Sequence, residues 1–251
     1  MKYCKNLTVT CNIPLANNFF YLTLRSAENL PQINPGQFVQ ILSAAGNGQK
    51  LRRPISVCDV DYAKNEIMLL IQIVGDCTRA MSEVKTGDEI SVIYPLGNGF
   101  EVTDDKVLMI GGGVGVAPML YLAKEYAKRG IRQDLLIGVR TKEHLLLAEE
   151  FNKYANLHIT TEDGSLGVKG LVIVHPVLRN RYDRIYCCGP DPMMRAVAKA
   201  AKDSQTPCYL SLEERMACGI GACLCCVVNT QDGNRCTCTE GPVFLADNLI
   251  F

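Results

Sequence analysis

Apolar and polar positions alternate in short runs over the first hundred residues, and the runs are rich in β-branched and aromatic residues. This pattern predicts six β-strands: Asn6–Cys11, Phe19–Arg25, Gln37–Leu42, Pro54–Val60, Glu66–Val74 and Glu89–Tyr94. Turn-like segments separate them at Asn34–Gly36, Ala45–Gly48, Tyr62–Asn65 and Lys85–Asp88. Short strands at near-regular spacing predict a small antiparallel β-barrel or sandwich over residues 1–101, with one short helix near Arg79–Val84.

The pattern changes at about residue 102, where apolar runs begin to alternate with stretches of helical periodicity. The predicted strands are Val107–Ile110, Leu135–Val139, Leu157–Thr161 and Ile185–Cys188. The predicted helices are one that follows Pro118 through Lys128, then Lys142–Tyr154 and Pro192–Asp203. Such alternation predicts an α/β domain with a parallel sheet over residues 102–211. The last forty residues, 212–251, depart from this pattern and are predicted to form a small cysteine-rich domain.

Charge and length narrow the functional classes. Lys and Arg together number 26, as do Asp and Glu, so the formal net charge is zero. A neutral chain produces no global field toward nucleic acid or an acidic membrane surface, so neither is an expected partner. The chain starts without an apolar run of signal-peptide length, and its longest uncharged stretch is short for a membrane span. We therefore expect a cytoplasmic protein of two or more compact domains.

The cysteines carry the strongest chemical signal. Six of the thirteen cysteines fall between residues 218 and 238. Cys218, Cys223 and Cys226 have the C-x4-C-x2-C spacing of plant-type [2Fe-2S] ferredoxins, in which a fourth thiolate comes later in the chain. A structural zinc site built from C-x2-C and C-x-C pairs is the alternative, but it leaves Cys218 unused. The spacing therefore favours an iron-sulfur cluster, with the fourth ligand still open.

Two segments of the barrel indicate a phosphate-bearing ligand. In Leu51-Arg-Arg53-Pro-Ile-Ser56, an arginine can pair with a phosphate and a hydroxyl can reach the edge of a flavin ring. Gly75–Thr78 opens the short helix, where free backbone amides bind phosphate. A solvated basic loop and an ordinary capped helix are the alternatives for these two segments. Each segment is weak evidence on its own.

Two glycine-rich turns follow strands of the α/β domain. Gly111–Pro118 lies between a strand and a helix, where a pyrophosphate sits on a helix N-terminus, although Val116 occupies the last position of G-x-G-x-x-G. Cys188-Gly189-Pro190 repeats the arrangement at a later strand end. A tight βα turn is the alternative for either one. Two such ends in one parallel sheet predict a dinucleotide crevice.

Together these pieces resemble the ferredoxin–NADP reductase superfamily, with a flavin barrel followed by a nicotinamide domain. The whole chain resembles, more closely, the family of electron-transfer subunits of class 1B dihydroorotate dehydrogenases. The segments that carry this resemblance are Leu51–Val57, Pro95–Phe100, Asp163–Ser165, Glu213–Cys223 and Gly241–Phe244. The fold implied is a three-domain chain whose last domain holds the cluster.

The resemblance implies the cofactor-binding residues. For FAD they would be Arg53, Pro54, Ile55, Ser56, Leu70, Ile71, Gln72, Cys77 and Thr78. For NAD+ they would be Gly112, Gly113, Gly115, Cys188, Gly189 and Pro190. The cluster ligands would be Cys218, Cys223, Cys226 and Cys238, the last because it precedes Gly241-Pro-Val-Phe at the family's distance. Family members commonly have arginine where Gln72 stands, glycine where Cys77 stands, and no cysteine where Cys225 and Cys236 stand.

The resemblance also implies an electron route. A separate FMN-containing catalytic subunit, with two copies of each subunit in the assembly, would oxidise dihydroorotate to orotate in pyrimidine biosynthesis. Its electrons would pass through the [2Fe-2S] cluster and FAD to NAD+. No catalytic acid or base is expected in this chain, because the cofactors supply the redox chemistry. The alternatives are a subunit of another NAD(P)H-linked oxidoreductase, such as a ferredoxin-NADP transhydrogenase or a sulfide dehydrogenase, and a zinc-stapled interaction module.

Overall fold

The first unit of the structure, a computed structural model that describes residues 1–42 and 51–251, is a closed six-stranded antiparallel barrel. The turn predicted at Ala45–Gly48 lies outside the described residues. The barrel order is β1-β2-β5-β4-β3-β6. Its strands are β1 (Tyr3–Pro14), β2 (Phe19–Arg25), β3 (Phe38–Ile41), β4 (Arg53–Asp61), β5 (Glu66–Gln72) and β6 (Glu89–Leu96). All six predicted barrel strands are present, and closure leaves no free sheet edge in this unit.

Alternating side chains fill the barrel. Leu7, Leu22, Leu69 and Val92 are among the fully buried apolar residues that point inward from successive strands. The helix α1 (Asp76–Ser82) places Met81 in the same core. The helix begins three residues earlier than predicted, because Gly75 in extended conformation serves as its N-cap.

The second unit is a seven-stranded sheet of order β10-β9-β8-β7-β11-β12-β15. Six strands run parallel, and β15 pairs antiparallel with β12 at one edge. The strands are β7 (Val107–Gly112), β8 (Asp134–Val139), β9 (Asn156–Thr161), β10 (Val168–Lys169), β11 (Arg184–Cys188), β12 (Cys208–Ser211) and β15 (Val243–Leu245). Every residue of β7 is buried, which explains its unbroken apolar run.

Helices cover this sheet, and one of them differs from the prediction. They are α2 (Val116–Lys128), α3 (Ala148–Tyr154) and α4 (Asp191–Asp203). The single helix predicted at Lys142–Tyr154 is wrong. A 3-10 turn at Lys142–His144 precedes Leu147, which has a left-handed φ of 60°, and α3 begins only at Ala148. The three leucines before α3, Leu145–Leu147, pack against the sheet core. Their apolar character therefore reflects tertiary packing and does not indicate a helix.

The C-terminal segment is tied to the sheet. Its hairpin consists of β13 (Val227–Thr230) and β14 (Gly233–Cys236), after which the chain returns through β15 to the sheet edge beside β12. Neither β12 nor β15 was predicted. The boundaries at residues 101 and 211 stay a prediction. In the residues that the structure describes, no helix is both long and apolar enough to cross a membrane.

Candidate functional site

A cavity of about 700 Å³ opens between the barrel and the segment that follows β12. Strands β4 and β5 form its barrel wall, and helix α1 and the start of α2 contribute further residues. Eight of the nine residues predicted for FAD line it: Arg53, Pro54, Ile55, Ser56, Leu70, Ile71, Gln72 and Thr78. The ninth, Cys77, is buried and is not among the described residues of the lining. The structure therefore brings most of the predicted flavin residues to one surface.

Two neighbouring arginines have different surroundings at this wall. The Arg52 guanidinium donates to the carbonyl and hydroxyl oxygens of Ser91, both at 2.8 Å, and so is committed to the barrel. Arg53 lines the cavity, and among the residues that the structure describes its guanidinium donates only to the carbonyls of Leu51 and Arg52, at 3.4 Å. Of these two arginines, Arg53 is therefore the one available to an anionic ligand in the cavity.

Thr78 is used by the chain itself. Its hydroxyl oxygen accepts the backbone N–H groups of Val74 at 2.9 Å and Gly75 at 3.2 Å, and the hydroxyl donates to the Gly75 carbonyl at 3.0 Å. These bonds fix the turn into α1 where it borders the cavity. The contribution of Thr78 is therefore to shape this turn.

The two glycine-rich turns lie against each other at the ends of β7 and β11. A methyl group added to Gly115 would lie 2.4 Å from the Cys188 carbonyl oxygen, and one added to Gly189 would lie 3.1 Å from the Gly112 nitrogen. Gly113 has a φ of 56° and open space around it. The predicted nicotinamide residues thus form one backbone-lined notch. Absence of side chains at Gly115 and Gly189 is what permits the close approach.

The end of β12 adds residues that the sequence analysis missed. Ser211 pairs in register with Cys188, and both Ser211 and Glu213 line the cavity. Desolvation raises the pKa of Glu213. Burial and then the nearby Glu213 charge raise the pKa of Cys188 to about 12, against the effect of a hydrogen bond with Ser211. Recognising β12 as a further parallel strand is the signal that would have found these residues, since its carboxyl end must lie beside that of β11.

The first cysteine of the C-x4-C-x2-C run lies in a loop of backbone donors. The amides of Ile220, Ala222 and Cys223 point at the Cys218 Sγ from 3.3 to 3.4 Å. Desolvation acts to raise the pKa of Cys218, but these amides outweigh it and lower the pKa to about 6. The loop turns through Gly219 and Gly221, whose φ values of 69° and 86° suit glycine. The loop therefore favours a thiolate, the form that binds metals.

The later cysteines divide into buried and exposed positions. Cys226, Cys236 and Cys238 are buried in a small core with Phe38 and Leu96 of the barrel. The Cys238 amide donates to the Cys226 Sγ at 3.4 Å. Burial and then Cys226 raise the pKa of Cys238 to about 12.

Cys225 and Cys223 are exposed, and Cys225 lines the 700 Å³ cavity. The cysteine segment and the cavity therefore share a wall.

The donor set fits an iron-sulfur cluster better than a single metal ion. A [2Fe-2S] cluster is bound by four thiolates, two on each iron, and Cys218, Cys223 and Cys226 have the spacing that plant-type clusters use. A zinc site built from the later cysteine pairs would leave Cys218 unused. Gln40, which packs against Gly219, and Thr237, which lies between Cys236 and Cys238, have buried polar atoms that lack hydrogen-bond partners among the described residues. Donors left unpaired around thiols match the needs of a sulfur-rich cluster.

The fold and the site define the class, an electron-transfer oxidoreductase of ferredoxin–NADP reductase type with an iron-sulfur domain. Two family models match the chain: "Oxidoreductase NAD-binding domain" over residues 109–199 and "Iron-sulfur cluster binding domain of dihydroorotate dehydrogenase B" over residues 213–250. The dihydroorotate dehydrogenase B (NAD(+)) electron transfer subunit of Fusobacterium nucleatum is 36% identical over 98% of both chains. That of Clostridium acetobutylicum is 41% identical over 95% of this chain and 94% of its own. The chain therefore belongs to the family of dihydroorotate dehydrogenase B electron transfer subunits.

Solved structures agree on the fold. An NADH-dependent reduced ferredoxin-NADP oxidoreductase is 30% identical, with a TM-score of 0.87 over 97% of this chain and 89% of the other. The flavohaem-like FAD/NAD-binding domain of a Vibrio cholerae nitric oxide dioxygenase is 18% identical, with a TM-score of 0.71 over 80% of this chain and 94% of its own. The second likeness concerns the fold alone. The predicted architecture of barrel, parallel sheet and iron-sulfur domain is confirmed.

Proposed function

We propose that this chain passes electrons from an FMN-containing dihydroorotate dehydrogenase catalytic subunit to NAD+, by way of a [2Fe-2S] cluster and FAD. The observation that carries the proposal is the wall shared by the cysteine segment and the cavity, where Cys225, Met216 and Ala217 are lining residues. Electron transfer requires the two cofactors to be close. In this chemistry the cluster supplies one-electron steps, and the flavin joins them to the two-electron exchange with the nicotinamide.

The cavity residues are proposed to hold FAD. Arg53 would pair with a phosphate, since within the described part of the chain its guanidinium makes only long hydrogen bonds, at 3.4 Å, while that of Arg52 is held by Ser91. Ser56 would donate to the edge of the ring, and Leu70 and Ile71 would pack on its apolar face. Glu213 lines the same cavity, and desolvation raises the pKa of its carboxyl. Cys77, which is buried, would pack beneath the turn that leads into α1.

The backbone notch between the two glycine-rich turns is proposed to receive NAD+. Gly112, Gly113 and Gly115 would present backbone amides to the pyrophosphate at the start of α2. Cys188, Gly189 and Pro190 would form the opposite side of the notch. Because Val114 and Ala117 also line the flavin cavity, a nicotinamide bound here reaches the same space as the flavin.

Cys218, Cys223, Cys226 and Cys238 are proposed as the cluster ligands. The amide donors around Cys218 and the contact of Cys238 with Cys226 support this set. Cys236 lies in the same small core as Cys238 and is the alternative fourth ligand. We expect Cys238→Ser to lose iron and Cys236→Ser to keep it; the opposite result would exchange the two assignments.

Cys223→Ser tests the ligand set while leaving the flavin site untouched. The variant should retain FAD and lose nearly all iron, because removal of one thiolate opens the coordination of an iron. Iron content by chelation assay and flavin by absorbance measure the two outcomes. Cys4→Ser, a change at an exposed cysteine of the barrel, is the matched control and should keep both cofactors. Full iron in Cys223→Ser would show that the ligand assignment is wrong.

The names of the relatives imply a catalytic partner subunit, and the exposed edge of the cysteine segment is the surface proposed to meet it. Ile220 and Leu224 are 49% and 64% exposed there, beside the exposed Cys223. We propose two copies of each subunit and a cytoplasmic location. The proposed use of clustered cysteines as metal ligands is typical of a reducing compartment.

The test is an electron-donor assay on the co-expressed subunits. The complex should reduce NAD+ when given dihydroorotate, and this chain alone should oxidise NADH with artificial acceptors but not oxidise dihydroorotate. Reduced ferredoxin and sulfide serve as alternative donors in the same assay. NAD+ reduction with either of these, and none with dihydroorotate, would reassign the chain to a ferredoxin-NADP transhydrogenase or a sulfide dehydrogenase.

A further inference from the structure

Among the residues that the structure describes, a buried side-chain amide on the barrel has no hydrogen-bond partner. Gln40 lies on β3 between Pro54 of β4 and Ile93 of β6, and its side chain is 0% exposed. Neither its Nε2 nor its Oε1 has a hydrogen-bond partner in the structure. A buried polar group left unsatisfied destabilises the folded protein, so each such group calls for an explanation.

The Gln40 side chain lies against the cysteine loop. A methyl group added to Gly219, the residue after Cys218, would lie 2.7 Å from Gln40 Cδ and 2.8 Å from Nε2. Gly219 has a φ of 69°, so both its conformation and its contact with Gln40 require glycine. The amide therefore reaches the loop whose backbone N–H groups surround the Cys218 thiol.

The surroundings leave few partners for this amide. Phe38, Leu96 and the buried cysteines form an apolar core on the same side of the barrel. The Cys218 Sγ accepts three backbone amides, and Gln40 is not among its donors. Within the described residues, the Gln40 Nε2–H donor therefore lacks a hydrogen-bond acceptor beside Cys218.

We propose that the Gln40 Nε2–H donates a hydrogen bond to a sulfur of the [2Fe-2S] cluster and thereby raises the reduction potential of the cluster. This inference rests on the proposed function, because it requires the cluster to be bound at the cysteine segment. Reduction adds one electron to the cluster and moves no proton in this step. The added negative charge strengthens a hydrogen bond from a neutral donor, so the donor stabilises the reduced state more than the oxidised one.

The position of Gln40 places this hydrogen bond between the proposed cluster and the proposed flavin cavity. Gln40 faces Pro54, which lines the proposed flavin cavity, across the β3–β4 ladder, and it touches the cluster loop through Gly219. A shift in the reduction potential of the cluster changes the driving force for electron transfer between the cluster and the flavin. Gln40 is thus a positioning and tuning residue and does not take part in bond making.

The test is the midpoint potential of the cluster in the holoprotein, followed by EPR during redox titration. Gln40→Leu should keep iron and FAD content and make the cluster harder to reduce. We expect about a tenfold fall in the one-electron equilibrium constant, which corresponds to about 59 mV toward negative potential. Gln40→Asn, which retains the amide on a shorter stem, should restore part of the difference.

Gln37→Leu is the matched control, because it removes the amide of a glutamine three residues earlier in the chain, and that amide already has hydrogen-bond partners. The Gln37 Nε2 donates to the Gly97 carbonyl at 2.6 Å, and its Oε1 accepts the Asn34 amide at 2.8 Å. This variant should lose stability without changing the cluster potential. An unchanged potential in Gln40→Leu with full iron content would overturn the inference. A wild-type protein that binds no cluster would instead overturn the proposed function.

Discussion

Gly115→Ala tests whether NADH binding depends on the close approach of the two glycine-rich turns. The added methyl group would meet three backbone atoms: the Cys188 carbonyl oxygen at 2.4 Å, its carbon at 2.6 Å and the Gly189 Cα at 2.7 Å. None of these atoms can rotate away as a side chain does. Gly115 has a φ of −63°, which alanine adopts freely, so the substitution acts through this overlap alone.

The overlap sets the size of the effect. Ordinary carbon contacts lie at about 3.5–4.0 Å, so the turns must separate by about 1 Å to admit the methyl group. Overpacking of this kind costs about 1–3 kcal/mol. If the strain is relieved by separation of the turns, the NAD(H) notch is distorted, and the NADH dissociation constant should rise by about tenfold or more.

The assay is a titration of the holoprotein with NADH, followed by flavin fluorescence, with iron and FAD content measured in parallel. Gly130→Ala is the control, since Gly130 lies beyond the end of α2 and outside the notch, its methyl group would meet nothing within 4 Å, and its φ of 74° disfavours alanine. It should lose about 1 kcal/mol of stability and leave the separation of the turns unchanged. Wild-type NADH affinity in Gly115→Ala, with folding and cofactors intact, would refute this account of the notch.

Two further substitutions test the flavin wall and the contact between the barrel and the sheet domain. Arg53→Met should weaken FAD binding by about 10- to 100-fold in an equilibrium titration, since hydrogen bonds to charged groups contribute about 1.5–3 kcal/mol, whereas Arg52→Met should leave it unchanged. Lys124→Met should lower the free energy of unfolding in urea by about 3 kcal/mol, because it leaves Asp59 and Glu150 without the ammonium that lies 2.6 and 3.2 Å from them. Burial acts to lower the pKa of Lys124, but these carboxylates raise it above 10.5. The loss of unfolding free energy in Lys124→Met should therefore be full below pH 10.5 and should shrink as the pH rises through the folded-state pKa of Lys124. Equal flavin affinities for the two arginine variants would contradict the first assignment. A stability loss in Lys124→Met that grows at high pH would contradict the second.

The sequence was most informative where local pattern and burial coincide. The barrel strands could be predicted because inward and outward positions alternate on a half-buried surface, as in β6 (Glu89–Leu96), where buried residues alternate with exposed or half-buried ones. The apolar run at Val107–Ile110 was equally clear, since β7 is buried on both faces. The cysteine spacing pointed to the cluster segment without any knowledge of the fold.

Features that depend on tertiary contact escaped prediction. Leu145–Leu147 has the composition of a helix, yet Leu147 takes a left-handed conformation so that its neighbours reach the sheet core. β15 is only three residues long and exists because β12 offers it an edge. Glu213 and Gln40 became site residues only when strands distant in sequence placed them at the cavity and at the cysteine loop. No local pattern records such neighbours.

The most direct measurement of the central claim is the cofactor content of the anaerobically purified protein. If the thiolates of the cysteine segment hold a cluster beside a bound flavin, each chain should contain two irons, two acid-labile sulfides and one FAD, with flavin and iron-sulfur bands in the visible spectrum. A colourless protein with one zinc per chain and no flavin would contradict the account.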